Sequence, residues 1–69
     1  MTPTIGSIYF FNYHDFTGLY ILTEINAGQG IYYFDSILIA PGCDTDISIV
    51  IDTINNYGTL IYAHDKETI

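Results

Sequence analysis

The chain has no arginine and a single lysine, Lys66, against eight Asp and Glu residues among its 69 residues. Its formal net charge is −7 at pH 7. Because contacts to phosphate require Lys or Arg, this deficit argues against nucleic acid and against anionic membranes as partners. A protein of this charge attracts basic proteins, so the sequence predicts a basic protein surface as its partner.

The chain is poor in bases rather than rich in acids. Charged residues make up only 13% of it, about half of the usual share near 25%. Duplex DNA carries one charge about every 1.7 Å along its axis, so eight carboxylates spread over a domain could copy only a short segment. A mostly apolar contact surface with an acidic rim is a better prediction than a mimic of extended DNA.

Cysteine is nearly absent too, with Cys43 as the only one. It cannot form an intramolecular disulfide, and no Cys/His cluster has the spacing of a zinc site. Met1 is not followed by a basic n-region, and no apolar stretch is long enough to span a bilayer. These features predict a cytoplasmic protein without a membrane segment.

Residues 1–69 are expected to form a single domain. A domain of about 60 residues buries only roughly 60% of the surface that its unfolded chain exposes. Small domains that lack disulfides and structural metals often gain stability by oligomerising. A homo-oligomer, or docking on a larger partner, is therefore expected.

The residues that are abundant favour β-structure, since the β-branched and aromatic types Ile, Thr, Tyr and Phe dominate. Turn signals recur at short intervals and separate five predicted strands, at 5–13, 18–26, 30–40, 47–52 and 59–63. The predicted fold is all-β, a small five-stranded antiparallel barrel or sheet. This arrangement resembles the architecture of SH3-like barrels, a class in which a helical turn before the last strand is common.

Residues 46–57 allow a second interpretation, which makes the fold α+β. Ile47, Val50, Ile51 and Ile54 match helical spacing, and Gly58 could end the helix. The many β-branched residues favour a strand instead. Both alternatives stay open at the sequence level.

Several strands are apolar on both faces, which predicts an interaction surface on the face that points outward. Tyrosine suits such a surface because its ring is apolar and its hydroxyl is polar. The predicted partner-binding residues are aromatic rings with carboxylates around them: Tyr9, Phe11, Tyr13, Asp15, Tyr20, Glu24, Tyr32, Phe34, Asp35 and Asp52.

Three local patterns suggest chemistry but lack what that chemistry needs. The pairs His14-Asp15 and His64-Asp65 lack the rest of a metal coordination shell. The segment 44–46 does not continue as a calcium loop, and the glycines in 28–30 lack the lysine of a phosphate loop. The sequence therefore predicts no catalytic residues, no metal and no cofactor, and the protein is not expected to be an enzyme.

The function predicted from these features is a small acidic, tyrosine-rich protein-binding module. In its sharpest form it is a phage-type inhibitor that docks on the basic surface of a nucleic-acid-binding or host-defence protein, by analogy of size and charge. The alternative is a structural or accessory subunit whose aromatic face forms a homo-oligomer interface.

Overall fold

Five antiparallel strands form one sheet in the computed structural model, which describes residues 3–64. The elements in chain order are β1 (Ile8–Tyr13), β2 (Phe16–Asn26), β3 (Ile31–Ile39), β4 (Asp46–Val50), α1 (Ile51–Tyr57) and β5 (Gly58–Tyr62). All four strand pairings are antiparallel. The prediction of an all-β fold with five antiparallel strands is confirmed.

The strand order across the sheet is β4-β3-β2-β1-β5. The first four strands form a meander, and α1 then carries the chain to the free side of β1. A helix before the last strand agrees with the SH3-like architecture expected from the sequence. In the order described, however, β4 and β5 are the two edges of an open sheet, so the barrel is not closed.

Residues 46–57 combine the two structures that the sequence left open. The strand ends at Val50, two residues earlier than predicted, and the helix occupies only Ile51–Tyr57. The helix has no side-chain cap at its N-terminus, and seven residues are too few for a stable isolated helix. It is held by burial of Ile54 in the core, and the backbone N–H of Gly58 donates to the Ile54 carbonyl at its end.

The core lies on one face of the sheet, the inner face, and is mostly aromatic. Its buried hydrophobic residues are Tyr9, Phe11, Phe16, Tyr20, Leu22, Phe34, Ile47 and Ile54. Phe11 is fully buried at the centre, with ring centroids of Phe34 at 5.2 Å, Phe16 at 5.5 Å and Tyr20 at 5.9 Å. These three contacts are edge-to-face, a preferred geometry for aromatic pairs.

Phe11 pairs with a glycine on each side, Gly18 on β2 and Gly58 on β5. A Cβ atom on Gly58 would lie 2.8 Å from Cε1 of the Phe11 ring, so the ring occupies the space next to that backbone. A Cβ atom on Gly18 would lie 2.3 Å from the carbonyl oxygen of Leu38, and Gly18 also has a positive φ of 142°. Both positions therefore require glycine.

The sheet is irregular at three places, and each leaves one residue without a direct partner in the register. These residues are Thr23 in β2, Ile37 in β3 and Ile61 in β5. Bulges of this kind bend a sheet and increase its twist. After Thr23 the alternation reverses, so that Ile25 packs against the core and Glu24 points to the other face. The regular alternation of a β-strand therefore does not hold in β2 beyond that point.

Candidate functional site: the outer face of the sheet

Four of the aromatic residues predicted to bind a partner lie in the core instead. Tyr9, Phe11, Tyr20 and Phe34 are buried on the inner face, so their assignment to an outward surface is wrong. The strands are apolar on both faces, and the sequence does not reveal which face meets the rest of the protein. The buried aromatic rings of the core all lie on the inner face.

The two remaining predicted rings are half-buried at the margins of the core. Tyr13 packs against Tyr57 of α1, with ring centroids 4.2 Å apart. Tyr32 also packs against the core and pairs with Ile49 of β4. Neither lies on the outer face, so all six predicted rings belong to the inner side of the sheet.

The four predicted carboxylates are all exposed, but the structure does not bring all of them together. Asp15 lies in the β1–β2 turn, and Asp52 lies in the first turn of α1. Glu24 and Asp35 line the same groove on the outer face. Their role in partner binding stays a prediction.

The outer face has an apolar half, defined here as Ile8, Phe10, Leu19, Ile21 and Leu38. Phe10, Leu19 and Leu38 are direct cross-strand neighbours on β1, β2 and β3, and Ile8 pairs with Ile21 beside them. Leu38 is 70% exposed and Phe10 is 37% exposed. Ile8, Leu19 and Ile21 are half-buried between and beside them. A continuous patch of apolar residues with exposed members is typical of interaction surfaces.

The other half of the outer face is an acidic groove of about 380 Å³ between β2, β3 and β4. We define the acidic groove by its outward-facing lining, which is Thr23, Glu24, Tyr33, Asp35, Asp46 and Ser48. Asp35 and Asp46 are direct cross-strand partners. Like charges in that position destabilise a sheet, and residues 3–64 include no Lys or Arg to offset them.

The two halves adjoin, because Ile21 of the apolar half pairs with Asp35 of the acidic groove. Sequence reasoning missed Phe10, Leu19, Leu38 and Asp46 as surface residues. Gly18 is the one available signal, since a glycine inside a strand can mark the close approach of another backbone. The sequence alone does not show that this backbone is β3, at Leu38 and Ile39.

The loop between β3 and β4 is tied to the core and to the β1–β2 turn. The Tyr20 hydroxyl donates to the Asp44 carbonyl at 2.7 Å, and the Asp44 backbone N–H donates to the Asp15 carbonyl at 2.8 Å. Burial raises the pKa of Tyr20, and the nearby Cys43 and Asp44 add to the effect. Asp44 thus has a structural role in an anchored loop.

The two histidines of the His-Asp pairs, His14 and His64, do not meet. His14 follows the C-terminal end of β1, whereas the backbone N–H of His64 donates to the Ser7 hydroxyl just before β1 begins. The six residues of β1 separate them, a span of about 20 Å at strand geometry. Asp65 lies outside the described residues. Within residues 3–64, no group of three or more His, Cys, Asp or Glu side chains is placed to hold a metal ion.

A second open groove, of about 480 Å³, lies beside the β1–β2 turn. Its lining residues are Asn12, Tyr13, His14, Thr17 and Tyr57. The rings of Tyr13 and His14 are 4.6 Å apart, and Tyr57 is an exposed aromatic residue at the end of α1. This groove has no carboxylate in its lining, unlike the acidic groove.

No family model matches the sequence, and no curated protein or solved structure is significantly similar to it. The only helix within residues 3–64 has seven residues, so none in that range is long enough to cross a membrane.

Proposed function

We propose that this chain is a small protein-binding module that docks through the outer face of its sheet onto a basic protein surface. The observation that carries the proposal is the direct junction of the exposed apolar half with the acidic groove. No residue from 3 to 64 is a Lys or Arg that could neutralise the groove.

Each half of the face contributes a different part of the binding. The apolar half supplies area that is removed from water on docking, which favours association. The acidic groove selects partners whose Lys or Arg side chains match its charge, and it speeds their approach. Tyr33 in the lining adds a ring face with which a cationic side chain can interact.

The sharpest form of the proposal is an inhibitor of a nucleic-acid-binding protein. Such proteins carry the largest basic surfaces because they neutralise phosphates. A module that covers part of this surface would compete with nucleic acid. A phage-type antagonist of a host nuclease or restriction enzyme is the version that small size and acidity favour, by analogy alone.

Binding of the purified chain to a panel of nucleases and restriction enzymes tests this function. The informative variant is Asp35→Asn combined with Asp46→Asn, and its matched control is Asp15→Asn combined with Asp52→Asn. Both double variants remove two negative charges from exposed positions, but only the first changes the acidic groove. We expect the first to weaken binding and to flatten its salt dependence, and the control to bind as the unchanged protein does.

Equal losses of binding in the two double variants would show that binding depends on net charge and not on the acidic groove. That result would overturn the assignment to the outer face. Leu38→Ser tests the apolar half in the same assay, since Leu38 is the most exposed member of that half. Competition by the chain for DNA bound to the same enzyme separates an inhibitor from a module that binds elsewhere.

A further inference from the structure

The two edges of the sheet differ in how they are protected from pairing with another strand. An edge strand presents backbone N–H and C=O groups that another chain can bind, and proteins usually guard such edges with charged residues or proline. The β4 edge begins with Asp46, and Asp44 precedes it. The β5 edge has no charged residue and no proline from Gly58 through Ala63.

β5 also exposes its apolar side chains. Leu60, Ile61 and Tyr62 are three consecutive large residues, exposed by 42%, 57% and 49%. Within residues 3–64, β5 pairs only with β1. The bulge leaves Ile61 without a direct partner on β1, and Ile61 is the most exposed residue of the three.

We infer that β5 is a self-association edge, where the β5 strand of a second copy pairs antiparallel to form one continuous ten-stranded sheet. Antiparallel pairing of identical strands obeys a two-fold axis, so the same residues meet their counterparts and the contact closes on itself. The backbone N–H and C=O groups of the edge would then be hydrogen-bonded, and its apolar side chains would be removed from water.

The charge of the chain indicates that the partner strand at the β5 edge comes from a second copy. Two chains with a net charge of −7 repel each other, and the repulsion is strongest where carboxylates would face carboxylates, as at β4. β5 is an edge without carboxylates, so it lets two acidic copies approach. A basic partner finds no counter-charge on β5, whereas the acidic groove provides it.

The size of the edge predicts a reversible dimer. One five-residue strand per copy contributes less than the roughly 800 Å² per partner of a standard interface. The two-fold axis of such a dimer is perpendicular to the sheet, so the outer faces of both copies lie on the same side. The proposed docking surface would then be present twice, with an acidic groove toward each end.

Sedimentation equilibrium of the full chain over a wide range of concentrations tests the inference. We expect the mass to rise with concentration from 7.8 kDa toward twice that value. Ile61→Lys should hold the protein at the monomer mass, because a lysine on an edge opposes pairing. The lysine changes the net charge of each copy from −7 to −6, so two copies of this variant repel each other less. A loss of the dimer therefore cannot result from greater repulsion.

Val50→Lys is the matched control, since Val50 lies at the end of the other edge strand and is 44% exposed. It makes the same charge change and should leave the dimer intact. Circular dichroism of both variants verifies that the monomer is folded. A dimer that survives Ile61→Lys, or one that Val50→Lys breaks instead, would overturn the β5 assignment.

A full chain that stays monomeric at all concentrations would also overturn the inference. If removal of residues 65–69 then produces a dimer, the chain's own C-terminal segment is the native occupant of the edge. The proposed docking function is tested separately, because the folded Ile61→Lys monomer keeps the acidic groove and should still bind a basic partner in a salt-sensitive manner.

Discussion

Both faces of the sheet carry large apolar side chains, and they differ in what surrounds those side chains. On the inner face, Phe11 is enclosed by other rings and by the backbone at Gly58. On the outer face, Phe10, its neighbour in the chain, lies between Leu19 and Thr59 and keeps a third of its surface exposed. The comparison shows that identical residue types in one strand can hold the fold together on one face and offer a contact surface on the other.

The largest expected effect on stability comes from removing the Phe11 ring on the inner face. Phe11→Ala removes the centre of the core and should cost about 3–5 kcal/mol, which is a large part of the roughly 3–10 kcal/mol expected for a chain of 69 residues at roughly 0.05–0.15 kcal/mol per residue. Phe10→Ala on the outer face should cost less than about 1 kcal/mol, because the ring is already partly in water. Urea unfolding of the two variants measures the difference. Equal losses would mean that the two faces do not differ in this way.

Gly18→Ala tests the close approach of β2 to β3 beside the inner face. The added methyl group would lie 2.3 Å from a backbone oxygen at a positive φ, so we expect a loss of more than about 2 kcal/mol. Gly28→Ala is the control, because its methyl group would meet its nearest neighbour at 3.6 Å and φ is not positive. Its effect should stay within about 0.5 kcal/mol. Thermal unfolding of both proteins decides whether Gly18 is required.

Tyr20→Phe removes only the hydroxyl of an inner-face ring. The loss of its hydrogen bond to the Asp44 carbonyl should lower the free energy of unfolding by about 1 kcal/mol. Hydrogen exchange should show faster exchange of the Asp44 amide, which binds the Asp15 carbonyl in the same loop. If the exchange rate of the Asp44 amide is unchanged in Tyr20→Phe, the Tyr20 hydroxyl does not anchor the β3–β4 loop.

The smallest expected effect is on the pH dependence of stability. Burial raises the pKa of Tyr20 and of Tyr9, for which the nearby Tyr32 adds to the shift. The unfolded chain therefore loses these protons at lower pH than the folded chain does. The contribution to stability is complete below the usual tyrosine pKa of about 10 and is lost as pH rises through the higher folded values.

The midpoint of urea unfolding, measured from neutral to alkaline pH, tests this sign. We expect a plateau followed by a fall above about pH 10, and Tyr20→Phe should make the fall shallower. A midpoint that rises with alkaline pH would contradict the direction of both shifts.

Composition and turn spacing were enough to predict five antiparallel strands and to place each within two or three residues of its observed bounds. Residues 46–57 could not be assigned in the same way. Six of the eight residues from Ile47 to Ile54 are β-branched, and only burial of Ile54 against the core makes the second half of this run a helix. The candidate site was predicted in part, since Glu24 and Asp35 lie on the outer face while the six predicted rings do not.

The sequence by itself determined the β-rich character of this chain and its lack of basic residues, because propensity and charge are properties of single residues and short segments. Only the tertiary structure decided which face of each strand is buried. A side chain's face depends on strand partners that can lie far away in the chain, as Gly58 does from Phe11. A bulge such as that at Thr23 reverses the alternation without a local signal, so the outer face becomes visible only when the strands are paired.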